Sequence, residues 1–246
     1  VEGLHVLDGQ ILRIPDKEGL KIPHIPVCGQ IVLPEGALIC PGCMAKLHFI
    51  RQPSCKKCGT ELIADRAEYC SDCLRRQRSF EYGIALIRYD AVAQKSMAAV
   101  KYKNRREYLD FYAEAAYRKY AARIARLSPD LIIPVPVHKS RMKKRGFNQA
   151  EEFGKRLSHY LEIPMNSSLL IRSKKTVPQK DLGPALRLKN LEQAFSCRKL
   201  PYRMKKVLLI DDIYTTGSTA EACSRALKKA GAEQVFLLVI ATSSNR

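Results

Sequence analysis

Val207-Leu208-Leu209-Ile210-Asp211-Asp212-Ile213-Tyr214-Thr215-Thr216-Gly217-Ser218-Thr219 decides the reading of this chain. Its four leading apolar residues read as a buried strand, ended by two adjacent carboxylates and a turn rich in Thr, Gly and Ser. From Ser218 the spacing becomes helical: Ala222, Cys223, Ala226, Leu227 and Ala230 share one stripe, and Gly231 supplies the stop. A strand, a short polar loop and a helix N-terminus present unpaired backbone N–H groups to an anion. The helix dipole and the hydroxyls add to that preference. Asp211 and Asp212 are expected at the carboxyl end of the strand, beside the cradle. There they can accept hydrogen bonds from sugar hydroxyls or hold a hydrated divalent cation.

This loop lacks the Gly-Lys-Ser/Thr ending of a Walker A loop and is no dinucleotide fingerprint. It resembles the signature of type I phosphoribosyltransferases, which bind phosphoribosyl pyrophosphate (PRPP). The resemblance implies that Asp211 and Asp212 contact the ribose 2′- and 3′-hydroxyls. It likewise implies that Thr215, Thr216, Gly217, Ser218 and Thr219 hold the 5′-phosphate.

Outward from the loop, strand-like and helix-like stretches alternate. Tyr82 to Tyr89 reads as a strand, Val92 to Tyr102 and Arg106 to Leu127 as helices, and Ser128-Pro129-Asp130 as a break. Leu131 to Pro136 is a short apolar strand ending in prolines, Phe147 to Leu161 is amphipathic, and Ser167 to Arg172 and Glu233 to Ala241 are further strands. Continuous apolar strands between helices predict an α/β fold with a mostly parallel, helix-covered sheet. Ligands of such sheets lie outside the carboxyl ends of the strands, which puts the loops after Val135 and Ile210 on one rim. The expected division is a cysteine-rich head over residues 1–77 and an α/β body over 78–246.

Hydrophobic residues make up 46% of the 246, and no apolar run approaches the length of a bilayer span. No secretory signal is visible, so the cytoplasm is the expected location. The net charge of +19 is placed unevenly. Residues 1–73 carry 8 Lys and Arg against 9 Asp and Glu, a net of −1, which leaves +20 on residues 74–246. The basic runs are Lys101 to Arg106, Lys139 to Arg145, Arg172 to Lys175 and Arg198 to Lys206. A small phosphorylated metabolite needs only a few of these cations, so the surplus points to a polyanion, with nucleic acid the first candidate. Tyr89, Tyr102 and Tyr108 lie near basic residues, where they can either stack on bases or belong to the core.

Nine cysteines include the pairs Cys40/Cys43, Cys55/Cys58 and Cys70/Cys73. The most self-consistent zinc-ribbon site joins Cys55 and Cys58 to Cys70 and Cys73, with Gly59 suited to the tight turn after the second sulfur. A second set would use Cys28, Cys40 and Cys43, its fourth ligand open between His24 and His48. Disulfides are disfavoured in a reducing compartment, and a redox Cys-x-x-Cys is expected near a βαβ pattern that this segment lacks. A head this small cannot bury much core, so structural Zn2+ should supply much of its folding free energy. Cys197 and Cys223 stand apart from the pairs.

The chain as a whole resembles the ComF/GntX family, which joins a zinc-ribbon head to a phosphoribosyltransferase domain. Beyond the PRPP loop, the likeness rests on Pro134-Val135-Pro136-Val137-His138, Arg141, and Arg145-Gly146-Phe147-Asn148-Gln149-Ala150-Glu151. It continues through Arg172, Thr176, Gln179, Leu182, Arg187, Asn190 and Ala194-Phe195. It implies the type I phosphoribosyltransferase fold, a loop after Pro136 that approaches the pyrophosphate, and a hood formed by Arg172 to Asn190. Lys139, Arg141, Arg145 and Arg172 are the cations available to the pyrophosphate, and Arg binds phosphate oxygens bidentately. The family also implies Mg2+ with the PRPP and a role in natural transformation. Its expected partners are single-stranded DNA and a competence helicase or other transformation proteins. Two departures stand out: Ile25 replaces a cysteine of the first pair, and the N-terminus lacks the catalytic Cys of glutamine-dependent amidophosphoribosyltransferases. No acceptor nucleophile and no catalytic general base emerge, so turnover as a Mg-dependent phosphoribosyltransferase stays open.

Overall fold

The computed structural model describes residues 5–7, 10–12, 38–64, 66–172 and 194–243. Two short strands, β1 (His5–Leu7) and β2 (Gln10–Leu12), form an antiparallel pair. The short helices α1 (Pro41–Met44) and α2 (Ser71–Arg75) belong to the cysteine-rich segment. The body then runs β3 (Tyr82–Arg88), α3 (Ala91–Lys103), α4 (Tyr108–Leu127), β4 (Leu131–Pro134), α5 (Lys139–Arg145) and α6 (Gln149–Leu161). It continues with β5 (Leu170–Arg172), β6 (Phe195–Cys197), β7 (Lys206–Tyr214), α7 (Ser218–Lys229) and β8 (Gln234–Thr242).

Four of these strands make one parallel sheet in the order β3-β8-β7-β4. Both of its faces are covered, which is why the strands carry unbroken apolar runs. On one face Leu208, Ile210, Leu238 and Ile240 pack with Tyr112, Ile124, Phe153 and Leu157 of α4 and α6. On the other, Val207, Leu209, Leu237 and Val239 pack with Ala222, Cys223 and Leu227 of α7 and with Phe195. Capping fixes where helices begin: Asp90 accepts from Val92 and Ala93 N at 3.0 Å to start α3, and Asn148 accepts from Ala150 N at 3.2 Å to start α6.

Three differences from the sequence reading have physical causes. The strand holding Asp211 and Asp212 does not stop at Ile210; it runs to Tyr214 because Asp211, Ile213 and Tyr214 pair with Val239, Ala241 and Thr242 of β8. The basic run Lys139 to Arg145, read as a loop, is the helix α5, which His138 starts by accepting from Ser140 N at 3.1 Å. None of its residues is buried, so it has no apolar stripe to betray it. The strand read as Ser167 to Arg172 is cut to β5 and pairs antiparallel with β6, outside the main sheet.

The cysteine-rich segment closes the free edge of β3. Ile50 N donates to Leu86 O at 3.0 Å, Arg88 N to His48 O at 2.8 Å, and Gly83 N to Lys56 O at 2.9 Å. Gly59, at φ +73°, lies so near this strand that a β-carbon would fall 2.5 Å from Ala85 N. The segment enters both cores: Ile39, Cys43 and Leu47 join one, and Ile50, Cys55, Cys58 and Cys70 join the other. An open strand edge is an aggregation hazard, and covering it removes the unpaired groups.

Candidate functional site: a cationic cavity at the sheet rim

β4 ends at Pro134, paired with Ile210, while β7 continues past it. Where the shorter strand falls away, a cavity of about 260 Å³ opens at the carboxyl ends of the strands. Asp211 and Asp212 line it together with Lys101, Arg141, Arg145, Arg172, Asn148, Gln149, Thr215 and Thr219. A smaller adjoining recess of about 30 Å³ is lined by Thr215 to Ala220. Thr216 and Ser218 hydroxyls sit 3.0 Å apart beside it. No side chain caps α7, whose N-cap is Gly217, in contrast to α3, α5 and α6. Its first N–H groups are therefore offered to a ligand.

The electrostatics of the cavity are divided. Burial and the neighbouring charge of Asp212 push the Asp211 carboxyl well above the usual carboxylate range. Asp212 is ion-paired with Lys101 of α3. Opposite them, burial and the charge of Arg141 lower the Arg172 guanidinium below its ordinary value. Cations held close enough to oppose one another are relieved by a bound polyanion, and paired acids by hydroxyl donors or a cation. The arrangement suits a sugar carrying phosphate groups at two ends.

The structure brings together Asp211, Asp212, Thr215 to Thr219, Arg141, Arg145 and Arg172 as the sequence suggested. Lys139, exposed at the start of α5, is not in the wall. Lys101, which the sequence assigned only to a basic run, is there, because the last turn of α3 reaches the cavity and pairs Lys101 with Asp212. Of the hood Arg172 to Asn190, residues 173–190 lie outside the described residues. Among the three tyrosines, Tyr102 is 65% exposed, whereas Tyr108 is a core residue at 4%. Tyr89 is a half-buried wall residue. Arg145 lies over the Tyr102 ring at 5.1 Å and donates to its hydroxyl at 3.3 Å, tying the basic helix α5 to an exposed aromatic ring at the end of α3.

A metal centre stands apart from the cavity. The sulfurs of Cys55, Cys58, Cys70 and Cys73 all lie within 4.8 Å of one another, and Cys58 Sγ is 3.6 Å from Cys70 Sγ. Tetrahedral Zn–S bonds of about 2.3 Å put sulfurs just under 4 Å apart, so these four fit structural zinc. Cys40 caps α1, its Sγ accepting from Cys43 N at 3.3 Å. Cys28, Ile25 and His24 lie outside the described residues, and His48 directs Nδ1 to Asp90.

Residues 23–74 match the double zinc ribbon domain family and residues 108–246 the phosphoribosyl transferase domain family. Competence protein F of Haemophilus influenzae is 32% identical over 206 residues, covering 80% of this chain and 87% of that protein. The chain belongs to the ComF family. DNA utilization protein YhgH of Escherichia coli (strain K12) is 28% identical over 184 residues, covering 74% of this chain and 80% of that protein. Competence protein ComFC of Bacillus subtilis is 25% identical over 205 residues, covering 78% and 79% respectively. The ComF architecture of zinc ribbon followed by phosphoribosyltransferase fold is the one seen here, with the four-cysteine site in the ribbon and the acid pair at the sheet rim.

Proposed function

We propose that this ComF-family chain binds PRPP at the rim cavity and handles single-stranded DNA during natural transformation in the cytoplasm. The observation that carries the reading is the convergence, on one cavity, of the acid pair, the uncapped start of α7 and four cations. Asp211 and Asp212 accept from the ribose hydroxyls, Thr215 to Thr219 enclose the 5′-phosphate, and Arg141, Arg145 and Arg172 take the pyrophosphate. The acids and phosphate oxygens suit Mg2+, which would neutralise charge on the pyrophosphate. The zinc-ribbon head over 1–77 supports a phosphoribosyltransferase body over 78–246. The +20 charge of residues 74–246, the exposed face of α5 and Tyr102 support a nucleic-acid partner. The printed names of the relatives, two competence proteins and a DNA utilization protein, support the physiological setting. A competence helicase or another transformation protein completes the proposed set of partners. Among the described residues no helix is long and apolar enough to cross a membrane.

The second reading is an active phosphoribosyltransferase with an unidentified acceptor. The donor side of the cavity favours it. Among the described residues, the wall holds no carboxylate, histidine or thiol besides the acid pair to serve as a general base.

Calorimetric titration with PRPP and Mg2+, with and without a single-stranded oligonucleotide, tests both. Saturable PRPP binding that Asp212→Asn removes is expected, with DNA binding that weakens steeply with salt and survives the substitution. Absence of PRPP binding would defeat the cavity assignment, and absence of DNA binding at low salt would defeat the DNA role. Pyrophosphate release on adding a nucleophile would decide for the enzyme.

A further inference from the structure

Arg78 lies in the turn between α2 and β3, and its side chain is 4% exposed. Its Nη2 donates to Asp72 Oδ2 at 2.7 Å and to the carbonyl of Thr216 at 3.1 Å. Asp72 stands between Cys70 and Cys73 in the second zinc knuckle, and Thr216 is in the middle of the phosphate loop. The guanidinium carbon is 5.9 Å from the ring centre of Tyr214, at the end of the strand that feeds that loop. The next residue repeats the connection. Ser79 N and Oγ donate to the two carboxylate oxygens of Glu221 at 2.8 and 2.7 Å, and Glu221 is 2% exposed in the first turn of α7. Two consecutive residues in the turn that follows the metal-site helix α2 thus grip both the loop and the helix that follows it.

We propose that Arg78 is the positioning residue through which the zinc knuckle holds the phosphate loop in its ligand-ready shape, so that zinc occupancy and PRPP affinity are linked. The proposal rests on the PRPP-binding reading of the cavity. A buried guanidinium is stable only with compensating charge and acceptors. Asp72 and the thiolates of a zinc–tetracysteine centre supply the charge, and Thr216 supplies a fixed acceptor. A trans peptide is planar, so turning the Thr216 carbonyl toward Arg78 turns the Gly217 N–H to the opposite side. The contact therefore sets the orientation of an amide at the start of α7. When zinc leaves, the knuckle loses its fixed geometry. Asp72 then no longer holds Arg78 against the loop. Linkage runs both ways: whatever zinc adds to PRPP binding, PRPP adds to zinc retention.

The test uses the full chain, PRPP with Mg2+, and the chromogenic chelator 4-(2-pyridylazo)resorcinol. In the wild type, PRPP should slow zinc transfer to the chelator by about fivefold or more. Asp212→Asn, which should not bind PRPP, corrects for zinc taken up by the diphosphate itself. Arg78→Ala should keep its zinc, bind PRPP about tenfold more weakly by calorimetry, and lose the protection. Arg78→Lys restores the charge without the planar fork and should recover only part of both effects. If Arg78→Ala proves too unstable, Asp72→Asn cuts the same link at the knuckle while preserving side-chain size, and should weaken PRPP in the same way. Wild-type protein that binds PRPP while zinc release is unaffected, with Arg78→Ala binding as tightly, would overturn the proposal and leave the cavity assignment standing. Wild-type protein that binds no PRPP would overturn both.

Discussion

A β-carbon added to Gly217 would fall 2.2 Å from the hydroxyl oxygen of Tyr214. Gly217 also sits at φ +72°, where side chains are strained. The ring cannot retreat: Tyr214 is 3% exposed and meets Phe80 edge-on at 6.4 Å. Gly217→Ala should therefore cost ~1–3 kcal/mol of stability. It should also abolish PRPP binding, since relief of the clash must move the loop. Urea unfolding and calorimetry read the two effects, and an unchanged midpoint with unchanged affinity would contradict the tight fit.

Asp211 is raised in pKa by its burial and by the charge of Asp212. Above the ordinary carboxylate range the folded chain holds a proton that the unfolded chain has released. The contribution of this group to stability therefore falls as pH rises through that window toward the folded-state value. Asp211→Asn should flatten this slope, keep or increase stability near pH 7, and still weaken PRPP at least about tenfold by replacing a carboxyl oxygen facing the ribose with an amide NH2 that cannot accept. Denaturant midpoints between about pH 4 and 8 check the first part. A variant destabilised near pH 7 would show that the carboxylate is favourably held.

Zinc removal should unfold more than the head. Ile50, Lys56 and Gly59 lie directly on β3, and Cys55, Cys58 and Cys70 are part of a core shared with the sheet. Cys55→Ser or Cys70→Ser should lose zinc and lower the stability of the whole chain by several kcal/mol in one transition. Cys197→Ser and Cys223→Ser should keep full metal content. A scan in which the body melts at its normal temperature without zinc would show that the head is dispensable for folding.

The DNA role is separable from folding because α5 is exposed. Lys143→Ala with Lys144→Ala should leave the melting temperature alone and reduce the salt slope of single-strand binding by about 0.7 per cation removed. Tyr102→Ala should cost ~1–3 kcal/mol of DNA affinity if its ring stacks on bases. Tyr108→Ala should act on stability instead, because that ring is in the core. Fluorescence anisotropy over a range of salt concentrations distinguishes these outcomes. A flat salt response in the wild type would remove the electrostatic basis of the reading.

Much of the site was legible because local rules dictate it. The acid pair ahead of a hydroxyl-rich turn, the stripe from Ala222 to Ala230 and the Cys-x-x-Cys spacing each follow from neighbours a few residues apart. The four-cysteine site came out as spaced, with the sulfurs within bonding range of one ion. Helix α5 escaped because periodicity detects an apolar face, and this helix buries nothing.

What remained hidden involves partners far apart in the chain. By itself the sequence determined the parallel, doubly covered sheet, the anion-ready loop and the zinc ribbon, because hydrophobic period, turn chemistry and ligand spacing are local properties. Only the tertiary structure decided that Lys101 neutralises Asp212, that β7 outruns β4 to open the cavity, and that Arg78 joins Asp72 to Thr216. These pairings depend on strand order and on which edge the head covers. They are fixed by packing over the whole molecule, so no short stretch of residues encodes them.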